Sequence, residues 1–425
     1  MSLETMEQPV IEAASTVNWK LDGTFLLSED LRKRALAVLA ATPFPTTRAE
    51  AWKYTRVTKI KNGRFDVKAD AIATKNHRIS ENSAALVFVN GHFSAELSDR
   101  SYPDGVKILA LSQMDEAELS VLGNNLKIEG EVFNAFNTAY ATDGVYIHIS
   151  AKMQTEQPIE LIYISTGENT LSNVRNIIIS EAFSKAHVIQ HFVSENAANC
   201  FTNVVSEISV AQNAFLAIDK LQQEDDSVFH ISTEEVNQAK DSNFTINTIT
   251  LNGGLVRNNL NIAVDGQNCE THLNGAYILK GNQHVDNHTI VDHLMPNCES
   301  NELYKGVIDG NATAVFNGKV FVRKDAQKIN AFQSNGNVLL SDDASVNSKP
   351  ELEIYADDVK CSHGSTTGQL DEEAVFYLRA RGIGEKAARQ LMIGAFIGDV
   401  LDKIKHEDVL NKINQTLSER FSWER

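Results

Sequence analysis

FTINTITL, residues 244–251, sets apolar side chains in alternation with Thr and Asn and carries no helical period beyond a turn or two. That is the signature of a strand with one face turned inward. Working outward from it, the same pattern recurs as VYIHIS (145–150), IELIYIS (159–165), NIIIS (176–180), AHVIQHF (186–192) and AFLAID (214–219). The region from about 145 to 359 is therefore expected to be all β. Between residues 241 and 350 there are 18 Asn. Asn tolerates the left-handed conformation and can ladder its amide between stacked turns, which suits a coiled solenoid better than hairpins. Small residues recur at Ala186, Ala214, Asn243, Cys269, Ala312 and Ala344, so a parallel β-helix of eight to ten coils is predicted, the longest gap hiding one more coil. A large β-sandwich is the alternative.

Both flanks change pattern. Before the β region, Ser28 caps a helix whose apolar stripe is Leu31, Ala35, Leu36, Val38 and Leu39, and Pro43 and Pro45 stop it. Thr47 and Glu50 fit a capping box opening the Trp52–Tyr54 segment, with Trp52 read as core. ALVFVNGHF (85–93) reads as one buried strand, and a helix is expected from Met114 to Leu122. After Gly368, Asp371 is an N-cap, Glu372 and Glu373 complement the helix dipole, and Ala374, Val375, Tyr377 and Leu378 face one way until Gly382. A second helix, from Glu385 to Ile404, carries Ala388, Leu391, Met392, Ala395, Phe396 and Val400, and a more polar one runs from Asp408 to Phe421. The expected division is 1–140 mostly helical, 141–360 parallel β-helix and 361–425 helical.

Composition narrows the function. The chain has 425 residues, 42% hydrophobic and 22% charged, ordinary for a soluble globular protein. No basic and apolar leader opens it and no run reaches the roughly 18 apolar residues of a membrane span, so a cytoplasmic protein is expected. A net charge of −17 argues against nucleic-acid or anionic-membrane binding and favours protein partners. Cys200, Cys269, Cys298 and Cys361 lie tens of residues apart without a CxxC, so no disulfide framework or self-contained cluster cage is written here. No P-loop, GxSxG, HExxH or EF-hand pattern occurs, and any ATPase must be a partner.

Three constellations remain. Cys361 and His363 stand two apart, on one face of an extended strand, where thiolate and imidazole can share a soft metal or accept sulfur; Gly364 to Gly368 reads as a small-residue loop behind them. His284, Asp286 and His288 form an HxDxH face able to bind Zn or Fe, with His293 and Asp292 nearby, against a reading as a solvent-facing polar ladder. Residues 382–387 satisfy GxGxxA but follow a helix rather than a strand, which removes the dinucleotide reading. They also suit a DNA-binding helix hairpin, yet residues 371–425 hold nine Lys or Arg against ten Asp or Glu, which favours a hairpin that docks on protein.

The stretch ELEIYADDVKCSHGSTTGQLDEEAVFYLRARGI, residues 351–383, together with TTRAEAWKYT, residues 46–55, resembles the SufB/SufD family, scaffolds of the Suf iron–sulfur cluster assembly machinery. In NAFQSNGN, Ser334 stands where SufB is expected to carry its acceptor cysteine, and Gly364 follows His363 where SufB tends to carry Glu; both departures point to the SufD branch. The resemblance implies a right-handed parallel β-helix and a non-catalytic scaffold subunit of a SufBCD complex. It also implies a nascent Fe–S cluster held at an interface with a SufB-like scaffold, His363 and Cys361 being this chain's candidate ligands. A SufC-like ABC ATPase is expected on the terminal helices, around Asp371, Tyr377, Arg379, Arg381, Gly382, Leu391 and Phe396, and a homodimer is expected in isolation. Flavin binding is left open. The rival readings are a metal-dependent β-helix enzyme using His284, Asp286 and His288, and a DNA-associated hairpin module.

Overall fold

The computed structural model describes residues 19, 21, 27–67, 73–115, 119, 123 and 126–421. Successive strands alternate between two sheets, of ten and nine strands, whose ladders skip every second strand in sequence order. That arrangement is a parallel β-solenoid of about eight turns. Each coil pairs in register with the next: Ile246 with Leu273, 27 positions on, and Glu302 with Gln333, 31 positions on. Antiparallel pairs occur where the solenoid starts, between Ala84–Val89 and His92–Phe93 and between Val106–Ala110 and Asp143–Ile149. Alternation sends one set of side chains into the lumen, where Val188, Ile218, Leu273, Val285 and Val320 belong to one continuous core. No coil buries that face alone, so stacking drives the assembly.

The asparagines do the work assigned to them, at several kinds of position. Asn169, Asn199, Asn213, Asn268 and Asn297 take positive φ at corners, with φ between 50° and 63°. Neighbouring corners are tied by their side chains, Asn268 donating to Asp241 at 2.9 Å. Inside the lumen, Asn258 donates to Asn287 at 3.0 Å.

Several expectations need correction. The small-residue starts belong to two different corners: Ala214 and Cys269 precede strands of the ten-stranded sheet, Ala312 and Ala344 strands of the nine-stranded one. The start expected to be hidden in the long gap is Cys298, which precedes Glu299–Ile308 of the ten-stranded sheet, and the gap is lengthened because it runs from one corner series into the other. ALVFVNGHF is not one strand but two, joined by a turn in which Asn90 and Gly91 both take positive φ. Thr47 and Glu50 make no capping box: Glu50–Trp52 is a single 3-10 turn without a side-chain cap, and Glu50 instead meets Lys349 at 2.7 Å. The segment Gly364 to Gly368 is strand, inside Val359–Gln369, and not a loop. The helix expected from Met114 to Leu122 falls largely outside the described residues.

Helices cover the outer faces of both sheets. Glu29–Ala41 and Val132–Tyr140 bring Leu39, Phe133 and Phe136 together with Trp19, Trp52 and Phe65 over Phe201, Val205 and Ile231 of the nine-stranded sheet. On the opposite side Glu385–Leu401 and Glu407–Phe421 set Ile393, Ile397, Val400, Ile413 and Leu417 over Ile249, Ile278 and Val307 of the ten-stranded sheet. The stripe expected on Glu385–Leu401 is therefore partly rotated: Ala388 and Val400 are buried, whereas Leu391 and Ala395 face solvent. Glu372–Ala380 packs on Glu385–Leu401.

Candidate functional site

The solenoid ends abruptly. Its last two strands, Ser345–Ile354 and Val359–Gln369, pair on one side only, with Thr313–Val322 and Ile329–Leu339. Nearly every residue of Val359–Gln369 is exposed. Cys361 and His363 lie on this last rung, in register with Ala331 and Gln333. Cys361 packs against the lumen core, so the inward face of the strand carries Cys361, His363 and Ser365. Burial pushes the Cys361 thiol up from its ordinary value, which disfavours a free thiolate until a cation replaces the proton. His363 is exposed. Two donors at an open rim fit part of a soft-metal coordination sphere, the remainder of which has to come from another molecule. Ser334 is in register with Gly364 and lies on the opposite face from Gln333 and His363.

The HxDxH face serves another purpose. Arg257 donates to Asp286 at 2.7 Å and to the Ala51 carbonyl at 2.7 Å, and its guanidinium stacks 3.7 Å from the Trp52 ring. The Thr55 hydroxyl donates to Asp286 and lies 2.9 Å from His284 Nε2, while His288 Nε2 stands 3.1 Å from the other Asp286 oxygen. Burial alone would raise Asp286, yet Arg257 and His288 hold its carboxyl well below the usual range. The guanidinium thus supplies the positive charge that Asp286 is bonded to, and the cluster latches the TTRAEAWKYT segment onto the solenoid. Asp292 is paired with Arg323, and His293 is buried against Ser300 at 2.9 Å. Among the described residues no three His, Cys, Asp or Glu side chains converge to hold a metal ion.

The terminal hairpin divides into structural and free residues. Asp371 caps its helix by accepting from the Glu373 and Ala374 amides at 3.0 Å each, and Gly382 ends that helix at φ 90°. Arg379 pairs with Glu385 at 3.3 Å and Arg389 with Glu372 at 2.8 Å, stapling the two helices. Arg381 donates to the Tyr377 hydroxyl at 3.0 Å and sits over its ring. Phe396 turns towards the solenoid, beneath Lys305. Three large side chains of the hairpin keep their rings or aliphatic groups exposed: Phe376 is 71% exposed, Tyr377 58% and Leu391 54%. Among these the sequence reading missed Phe376, which lies next to buried Val375 but about 100° further round the helix, off the buried face.

Sequence reading also missed the polar interior. Lys220 is fully buried and donates to Glu234 at 2.8 Å and Asn258 at 3.1 Å. Nearer the open end, Glu302 accepts from Thr289 at 2.5 Å and from Gln333 at 3.0 Å, and Asn335 donates to the Tyr277 hydroxyl at 3.0 Å. The available signal was polar residues at inward parity, as in Ser300, Glu302 and Tyr304.

Known proteins place this geometry. Residues 163–396 match the family described as SUF system FeS cluster assembly, SufBD core domain, and residues 23–161 match the SufBD protein N-terminal region. The chain is 33% identical to an iron–sulfur cluster assembly SufBD family protein of Synechocystis sp., over 91% of this chain and 90% of that one. It is 32% identical to the iron–sulfur cluster assembly protein SufD of Escherichia coli, over 91% of each. A SufBD family protein of Mycobacterium leprae is 29% identical over 87% of this chain and 88% of its own. On these matches, which together span most of its length, the chain belongs to the SufBD family of iron–sulfur cluster assembly proteins and is SufD-like within it.

Proposed function

We propose that this chain is the SufD-like subunit of a SufBCD complex and acts as a scaffold without catalysing a reaction alone. Its open rim meets the corresponding rim of a SufB-like scaffold, and a nascent Fe–S cluster, the cargo of the assembly, forms between them. His363, with Cys361 beside it, supplies this chain's ligands; Ser334, on the other face, supplies none. The single observation that supports this reading is the rim itself: two soft-metal donors on the last strand of a solenoid, paired on one side only, whose other backbone edge is open.

A SufC-like ABC ATPase docks on the terminal hairpin through Phe376, Tyr377 and Leu391, an aromatic and aliphatic patch of the kind that anchors interfaces. Because the second hairpin helix also packs on the solenoid, movement of the docked ATPase is transmitted to the coils near the rim. Such coupling requires the ATPase to contact the two states of the scaffold differently. The test is reconstitution of the three-protein complex with His363→Ala. Cluster loading, followed by visible absorbance and iron content, is expected to fall severalfold; unchanged loading would remove His363 from the site.

A further inference from the structure

We propose that Cys269 and Cys298 form a modification site, a buried dithiol that a peroxide converts into an intramolecular disulfide clamping two successive coils of the solenoid together. The inference is independent of the cluster-ligand reading of the rim.

The two cysteines are one coil apart in sequence and adjacent in space. Cys269 precedes Glu270–Leu279 and Cys298 precedes Glu299–Ile308, both strands of the ten-stranded sheet. Glu270 and Glu299 are register partners, and the Glu299 amide donates to the Cys269 carbonyl at 2.9 Å, so the cysteines stack at one corner. Neighbouring strands stand about 4.7–4.9 Å apart, inside the roughly 4.4–6.8 Å that separates the Cα atoms of a disulfide. Both side chains turn the same way: Cys269 Sγ lies 3.3 Å and Cys298 Sγ 3.2 Å from a single oxygen, the Gly266 carbonyl. Both are free thiols.

No other thiol competes at this corner. Ser242 occupies the column one coil before, and Ile329 follows one coil after. Cys200 precedes a strand of the nine-stranded sheet, and Cys361 lies on the last rung. Each member of the pair is 1% exposed, yet the cover is thin, because Asn268 and Asn297 just before them and Glu270 and Glu299 just after are all exposed. Local opening of such a corner admits a molecule as small as hydrogen peroxide.

The Ser242 hydroxyl donates to Cys269 Sγ at 3.6 Å. The neighbouring Cys298 thiol, and then Ser242, hold Cys269 below the ordinary thiol value against the opposing effect of burial, while Cys298 is pushed up. Cys269 is therefore the first nucleophile. Its thiolate attacks one peroxide oxygen, the O–O bond breaks, and a sulfenic acid and hydroxide form. The hydroxide takes the Cys298 proton and leaves as water. The Cys298 thiolate then attacks the sulfenic sulfur; the S–S bond forms, the S–O bond breaks, and the departing hydroxide takes up the proton first lost by Cys269. Two thiols give up two electrons and two protons, and one peroxide becomes two waters. The product closes one full coil. A solenoid frays from its ends, since each coil is held only by its neighbours. Here the open end lies two rungs beyond the clamp, at Ile329–Leu339 and Val359–Gln369, so oxidation confines fraying to those rungs.

The experiment uses the full chain, reduced, treated with excess hydrogen peroxide, quenched, unfolded, labelled with a maleimide and digested for mass spectrometry. Of its four cysteines two are expected to escape the label, in one linked peptide pair holding Cys269 and Cys298, and dithiothreitol is expected to return both. Cys298→Ser, a residue the column already accommodates at Ser242, is expected to abolish the link. The urea midpoint of oxidised wild type is expected to rise above that of the reduced protein, with no such rise in treated Cys298→Ser. Four labelled cysteines after peroxide overturn the proposal, as does a sulfinic acid on Cys269 beside a free Cys298, or a link from either to Cys361. A Cys269–Cys298 link that leaves the midpoint unmoved overturns the clamping. Normal cluster loading in His363→Ala, which defeats the ligand reading of the rim, leaves this site standing.

Discussion

At the scale of single residues, the most consequential contacts are those that put charge where water does not reach. Asp286 is held by Arg257, Thr55 and His288 at the joint between the N-terminal segment and the solenoid. Removing one partner of such a set leaves the other charged and unpaired, so Asp286→Asn is expected to cost about 3–5 kcal/mol in urea unfolding. The same change leaves the rim untouched. His191 shows a different balance: it is buried between the His77 carbonyl and Gln223, and burial pushes its pKa down to about 4 from an ordinary 6.5. Between those values the unfolded chain binds the proton and the folded chain does not, so His191 contributes stability above pH 6.5 and loses it as pH falls towards 4. Thermal melts of wild type and His191→Gln are expected to converge over that window, the difference shrinking by up to about 3 kcal/mol. A difference that stays constant across it would mean the imidazole is not held neutral.

At the scale of strands and helices, glycine sets where bulky lumen side chains fit. Tyr304 lies beside Gly275 and Tyr277 beside Gly306, so a Cβ at those positions would come within 2.2 Å and 2.1 Å of the rings. Gly275→Ala is expected to cost about 1–3 kcal/mol by overpacking, and Tyr304→Leu in the same chain is expected to recover part of it; failure of that rescue would place the strain elsewhere. Periodicity made the strands legible because inward and outward side chains alternate, and Asn marked the corners because it enters the left-handed region cheaply. The partner of each strand was not legible, since pairing across about 30 positions is a property of the coil and not of the run. That is why Ala312 and Ala344 were read in series with Cys269, and why Gly364 to Gly368, polar and small, passed for a loop. Cys361 and His363 were legible as a pair on one face. Glu302 and Gln333 were not, because only register brings residues 31 positions apart into one column.

At the scale of the whole molecule, the helical layers guard the two outer faces and leave one end open. Truncation after residue 370 would bare Ile249, Ile278 and Val307, so it would report aggregation rather than loss of a partner. Point changes avoid that difficulty: Phe376→Asp with Leu391→Asp is expected to reduce co-purification of the proposed SufC-like ATPase at least tenfold with an unchanged melting temperature. Retention of the ATPase by this variant would move the docking surface off the hairpin. The bare last rung carries a different consequence, one of concentration. A ladder that stops without a lid remains adhesive towards any extended backbone, its own kind included, for as long as it stays unmated. Copies held without a partner are therefore expected to pair edge to edge or to precipitate as their concentration rises.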